Sequence, residues 1–173
     1  MQIIAEMRIY LAGPDVFYPD APQRAARFRA ACAAAGHHGV FPLDPSPREP
    51  PLDAPEWLRI HLANEAHIRG CDAMIANITP FRGVSVDPGT AWEMGFMRAL
   101  GRPVCAWTEE LRDLDARVVP DGLLVEAFGL ADNLMLEGGV ALSGGMVFRG
   151  PGAFDRCIAQ FGVGAQLSSR SSA

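Results

Sequence analysis

The residue types best suited to chemistry gather in one short segment, Asp87-Pro-Gly-Thr-Ala-Trp-Glu93-Met-Gly-Phe-Met-Arg-Ala-Leu100. Asp87 suits a helix N-cap and Pro88 the first helical position, so the pattern predicts a helix over 88–100. Past its start this helix carries only two charged residues, Glu93 and Arg98. A helix so apolar is buried on most of its surface, where a carboxylate is seldom found without a partner or a purpose. Helical side chains lean toward the N-terminus, which places the Glu93 carboxylate over Gly89 and Thr90. Small residues there leave room for a ligand, and the nearby helix start helps to keep the acid ionised. Such a group is equipped for nucleophilic or acid–base work. Two readings stay open at this point: Glu93 serves a reaction, or it pairs with an arginine and braces the helix. Capping alone would equally account for Asp87.

Other candidates are less specific. Tyr10 alternates with Ile9 and Leu11 in a run that should be buried, so its hydroxyl needs a hydrogen-bond partner, and a core tyrosine is the plain interpretation. Gly13-Pro14 is a turn that many folds use. His37-His38 precede Gly39 at a turn and read as solvated loop. Phe81, in Thr79-Pro-Phe-Arg-Gly83, could lie against a base or simply anchor a loop.

The elements that position these residues alternate. Arg8–Ala12 reads as a first strand stopped by Gly13-Pro14, and residues 21–35 as a helix with Pro22 near its start and Gly36 past its end. Residues 39–43 form a second strand candidate that Pro42 shortens or ends. Residues 44–55 hold five prolines and read as a stiff extended loop, long enough to wall a site. A helix over 56–71, a strand over 73–78, the helix at 88–100, a strand over 103–108 and a fifth strand over 123–128 follow. The rest holds a Leu-Met-Leu run, a Gly-rich turn region and a last helix from about 152 to 161. Alternation of this kind predicts an α/β fold whose mainly parallel five-stranded sheet is covered on both faces, with ligands at the carboxyl ends of the strands. Gly13, Asn77 to Gly83 and the loop after Thr108 all lie at such ends.

A length of 173 residues suits one domain spanning 1–173, with a lead at 1–6 and a polar, Ser-rich tail at 166–173 expected to be disordered. The 20 acidic and 15 basic residues give a net charge of −5 with no basic cluster, which argues against a nucleic-acid partner. Four cysteines lie far apart without a CxxC pair, so neither a zinc site nor a disulfide framework is indicated, and no metal is expected. No run reaches the roughly 20 apolar residues of a membrane span. Without a signal-peptide pattern, a cytoplasmic location is expected.

Four motifs in order carry a wider likeness: Tyr10-Leu-Ala-Gly-Pro-Asp15-Val-Phe17, Cys71-Asp-Ala-Met-Ile-Ala-Asn77-Ile-Thr-Pro-Phe-Arg-Gly83, Asp87-Pro-Gly-Thr-Ala-Trp-Glu93-Met-Gly95 and Asp132-Asn133-Leu-Met-Leu136. Together they resemble the nucleoside 2-deoxyribosyltransferase family from about Met7 to Phe161. The resemblance implies a flavodoxin-like doubly wound fold, Glu93 as nucleophile, Tyr10 orienting it, and Asp87 contacting and helping to protonate the base. It implies substrate-binding positions at Gly13, Phe17, Asn64, Asn77, Gly89, Asn133 and Met135. The match of Asn133 reaches the sugar from a neighbouring subunit, which implies a homodimer or homotetramer. Asn64 stands where several members place a second base-contacting aspartate. An amide both donates and accepts, which implies an altered base preference, toward purines.

The reaction implied is transfer of a 2-deoxyribosyl group between nucleobases through a glycosyl ester on Glu93, with retention and without a cofactor. A free glutamate titrates near 4.3, so Glu93 would be ionised at neutral pH unless burial raised it strongly. Two rivals remain. One is an N-glycosidase of deoxynucleoside 5'-monophosphates, a branch with serine where Asp87 stands and whose phosphate Asp87 and Asp15 would repel. The other is a nucleoside-binding module without catalysis.

Overall fold

The computed structural model describes residues 6–162. The tail at 166–173 and residues 1–5 of the lead lie outside the described residues. In chain order the elements are β1 (Arg8–Ala12), a short 3-10 turn (Pro14–Phe17), α1 (Ala21–Ala34), β2 (His38–Val40), α2 (Glu56–Arg69), β3 (Ala73–Asn77), α3 (Pro88–Ala99), β4 (Val104–Thr108), α4 (Leu134–Leu142), β5 (Val147–Arg149) and α5 (Ala153–Gly162). All four strand pairings are parallel, in the order β2-β1-β3-β4-β5. This is the doubly wound order of flavodoxin-like sheets, whose winding reverses between β1 and β3.

Both faces of the sheet are covered. Tyr10, Met74, Ala76, Val104 and Ala106 meet Ile68 of α2, Met94 and Met97 of α3, and Val140 of α4. On the other face Ile9, Leu11, Ile75, Cys105 and Trp107 meet Phe28 of α1 and Cys157, Ile158 and Phe161 of α5. Strands buried on two sides explain the unbroken apolar runs of β3 and β4. The four cysteines are free and buried, and no helix of the described residues is long and apolar enough to cross a membrane.

Two sequence expectations need correction. Residues 123–128 form no strand: the segment is a surface loop in which Leu123 and Phe128 are exposed and Leu124 is wholly so. A parallel partner for β4 needs a crossover connection, and nothing between Thr108 and Leu123 supplies one. The fifth strand is β5, reached through α4 and registered as Ala106↔Val147, Trp107↔Phe148 and Thr108↔Arg149. The Gly-rich region after the Leu-Met-Leu run divides: Gly138 and Gly139 lie inside α4, and the turn follows at Ser143 and Gly144. Each glycine costs a helix interior about 1 kcal/mol. That cost is offset by the Asn133 cap, whose side chain accepts from Met135 N at 3.0 Å, and by packing of Leu136 and Val140 against the core. β2 is also shorter than expected, ending at Val40 where Phe41 N turns to donate to Asp44 Oδ2 at 2.9 Å.

Candidate active site

The site is built at the winding reversal. α3 begins as its residues dictate, with Pro88 in its first turn and Asp87 Oδ2 accepting from Thr90 N at 3.0 Å and from the Thr90 hydroxyl at 3.2 Å. One carboxylate oxygen is thus committed to the cap. Among the described residues Asp87 Oδ1 accepts no hydrogen bond. One and a half turns on, the half-buried Glu93 accepts a hydrogen bond from the Tyr10 hydroxyl at 2.8 Å. Tyr10 itself is fully buried in β1, so a strand paired on both edges aims the tyrosine hydroxyl at this acid.

No arginine or lysine pairs with Glu93 among the described residues. The bracing arrangement, with Glu93 locked onto an arginine, is therefore not what the structure forms. Burial pushes the Glu93 carboxyl up to about 7, the Tyr10 bond opposes this, and the negative charge of Asp87 adds to it. Burial outweighs the tyrosine, so near neutrality the acid stands between its two protonation states rather than fully ionised. Tyr10 is held well above its ordinary value, chiefly by burial and then by the charge and bond of Glu93, which keeps its hydroxyl a donor.

Space over the helix start is open. A side-chain carbon added at Gly89 would meet only the Asp87 carboxylate, at 3.0 Å, and one at Gly95 would meet nothing within 4 Å. A hollow of about 460 Å³ runs between α3 and α4, lined by Met94, Gly95, Leu134 and Met135 among others. A larger one of about 560 Å³ lies between Pro47–Pro51 and α2, and neither hollow is lined by Glu93 or Asp87.

The floor comes from two loops stitched together. Asp15 is buried, accepting from Arg24 Nη1 at 2.9 Å and from Asn77 Nδ2 at 2.8 Å. Asn77 Oδ1 in turn accepts from Thr79 N at 3.0 Å. Gly13 has φ 152°, and a side-chain carbon there would come within 2.7 Å of Asn77 Cβ and 2.9 Å of Asp15 Oδ2. This close approach requires glycine. Phe17 is half exposed and stacks on Phe81 with ring centroids 5.3 Å apart, while the Arg82 guanidinium lies over both rings at 5.3 and 4.8 Å. Arg82 adopts a left-handed φ of 54° to do so.

The structure therefore brings Tyr10, Asp87, Gly89 and Glu93 together, with Gly13, Phe17 and Asn77 forming the joined loops beside them. Asn64 sits part-exposed on α2 with no hydrogen bond to its side chain among the described residues. Asn133 and Met135 lie apart, at the start of α4. There Asn133 Nδ2 donates to both Glu126 oxygens at 3.2 and 3.3 Å, and Met135 is 75% exposed. Nothing in the sequence signals Glu126, Ser85 or Arg117 as supports of these loops, since each acts through contacts distant along the chain. No group of three or more metal-binding side chains forms among the described residues.

A family model described as nucleoside 2-deoxyribosyltransferase matches residues 9–135. A 2-desoxiribosyltransferase from Leishmania mexicana shares 34% identity and a TM-score of 0.72, covering 90% of this chain and 96% of its own. An uncharacterized protein of Schizosaccharomyces pombe is 31% identical over 167 residues, 80% of this chain and 79% of its own length. A Clostridium botulinum CMP N-glycosidase, 16% identical with a TM-score of 0.50 over 82% of this chain and 87% of its own, shares the fold. The chain belongs to the nucleoside 2-deoxyribosyltransferase family.

Proposed function

We propose that this chain transfers the 2-deoxyribosyl group from one nucleobase to another through a covalent ester on Glu93. The observation that carries the reading is the Glu93 carboxylate, held by the Tyr10 hydroxyl at 2.8 Å and free of any cation among the described residues. In the first displacement a Glu93 oxygen bonds to C1' of a 2'-deoxynucleoside as the bond from C1' to the base nitrogen breaks, through an oxocarbenium-like state. The electron pair of that bond leaves with the base, and Asp87, directly or through water, supplies the proton that neutralises it. In the second displacement the nitrogen of another base attacks C1' from the vacated face, releasing the carboxylate and returning the proton, so configuration is retained. Tyr10 keeps the carboxylate oriented in both steps. Absence of a 2'-hydroxyl removes one electron-withdrawing group from the developing cation, which favours deoxynucleosides over ribonucleosides.

In this reading Gly13, Phe17 and Gly89 border the substrate, Asn77 holds the floor, and Asn64 biases the site toward purines. Asn133 and Met135 serve the site of a neighbouring copy, so the working form is a homo-oligomer. Cytoplasmic nucleoside salvage is the setting it implies. Incubating the protein with deoxyinosine and adenine and separating the products tests the activity: deoxyadenosine and hypoxanthine are expected, and their absence with intact protein would refute the transfer.

A second reading is hydrolysis of deoxynucleoside 5'-monophosphates; a CMP N-glycosidase has the same fold. Asp15 does not count against it, since its charge is matched by Arg24. Asp87, with no cation paired to it among the described residues, is the group that would repel a phosphate. Faster turnover of deoxyadenosine than of its monophosphate is expected, and the reverse order would favour the hydrolase.

A further inference from the structure

Asp132 is 1% exposed and every polar contact of its carboxylate comes from a donor. Oδ1 accepts from the Ser85 hydroxyl and from Asn133 N at 2.8 Å. Oδ2 accepts from Val86 N at 2.9 Å, and the Arg117 guanidinium stands 3.9 Å from it. The Arg117 side chain is itself only 4% exposed. It is fixed by donating to the carbonyls of Val84 at 2.9 Å, Arg112 at 2.8 Å and Ala131 at 2.7 Å. The backbone of Asp132 is tied as well, its N–H donating to Glu137 Oε1 at 3.0 Å.

The positions of these partners matter more than their number. Ser85 and Val86 are the two residues before Asp87, and Asn133 is the residue after Asp132. One buried carboxylate therefore fixes the entrance to α3, where Asp87 caps the helix that carries Glu93, and the entrance to α4, where Asn133 caps the helix. Only an acceptor-only group satisfies this ring of donors, because an amide would turn an N–H₂ toward one of them and leave it unpaired in a buried place.

We propose that Asp132 is a positioning residue for two active sites at once: it sets Asp87 in its own chain's site and Asn133 in the pose offered to the neighbouring copy. This rests on the reading that Asn133 acts across a subunit interface. In a two-fold assembly each site then depends on the Asp132 of both chains, through Asp87 from one and Asn133 from the other.

Mixed oligomers test this, purified through two different tags so that each holds one chain of each kind. A chain with Glu93→Ala keeps its Asn133, and a chain with Asn133→Ala keeps its Glu93 site, so their mixed dimer regains one complete site, about half the wild-type number by two-fold symmetry. Pairing Glu93→Ala with Asp132→Asn should give no such recovery, because the surviving Glu93 belongs to the chain whose Asp87 has lost its support. Alone, Asp132→Asn should lose about 10²-fold in activity, the effect of a misplacement near 1 Å. Ser85→Ala touches only the Asp87 side, where it removes one of two bonds and leaves that of Val86 N, so its recovery should fall short of that with Asn133→Ala; it decides the matter if Asp132→Asn does not fold.

A further readout separates positioning from mere weakening of the fold. Loss of Asp87's aid should be larger for deoxyinosine than for 7-methyl-2'-deoxyinosine, whose base already carries the charge that protonation supplies. Recovery with Asn133→Ala that Asp132→Asn or Ser85→Ala matches in full would overturn the proposal while leaving the cross-subunit reading intact. Equal losses on the two substrates would also overturn it. Absence of recovery with Asn133→Ala would refute the cross-subunit reading, and the two-site role with it.

Discussion

Burial and a hydrogen bond act on Glu93 in opposite directions, and burial prevails, with the carboxyl pushed up to about 7. If the ionised form is the nucleophile, kcat/KM for a deoxynucleoside rises with pH through an apparent pKa near that value. The Tyr10 bond favours the charged form, so Tyr10→Phe should move this limb to higher pH; a limb that stays in place would show that the tyrosine does not tune the acid. The same displacement affects stability. A carboxyl whose folded value lies above its unfolded one, about 4.5, favours the fold at low pH, and that favour is lost as pH rises toward and through about 7. Glu93→Gln removes the ionisation, so thermal melts should show the variant more stable than wild type at pH 8, by up to about 3 kcal/mol. The gain should vanish near pH 4, where the carboxyl is protonated in both states. Half-burial lets solvent screen part of this figure.

At the scale of elements, the proposed mechanism gives one residue of α3's entrance a structural and a chemical role together. Asp87 commits Oδ2 to Thr90 and leaves Oδ1 without a hydrogen bond among the described residues, so the two roles are separable by substitution. Asp87→Asn keeps a good capping side chain, and its melting temperature should match wild type, whereas its transfer rate should fall about 10²- to 10⁴-fold with the acid gone. Asp87→Ala should lose the activity and also about 1 kcal/mol of stability. Equal activity in Asp87→Asn and wild type would remove Asp87 from the reaction. This helix was legible in the sequence because its start is written in local signals, an aspartate followed by proline. The strand expected at 123–128 failed for the complementary reason. Its residues favour β structure, but pairing with β4 depends on a crossover that local composition does not encode. α4 was obscured by Gly138 and Gly139, whose poor propensity is overridden by a cap and by core contacts.

At the scale of the whole molecule, the proposed chemistry sits where the winding of the sheet reverses. The alternation of strands and helices made the layers legible, and an apolar helix with a single acid past its start made Glu93 stand out. Composition and spacing could not show that Tyr10, 83 residues away, is the partner of that acid. Nor could they show that Asp132 ties together loops 46 residues apart. Such pairs exist only once the sheet is assembled. The central claim, a sugar carried on Glu93, is tested most directly by intact-protein and peptide mass spectrometry after brief mixing with a deoxynucleoside and acid quenching. A deoxyribosyl adduct on the peptide holding Glu93 is expected. It should disappear on adding a free base and be absent from Glu93→Ala. Base exchange that proceeds with no adduct at any time, or with an adduct that survives Glu93→Ala, would contradict the mechanism.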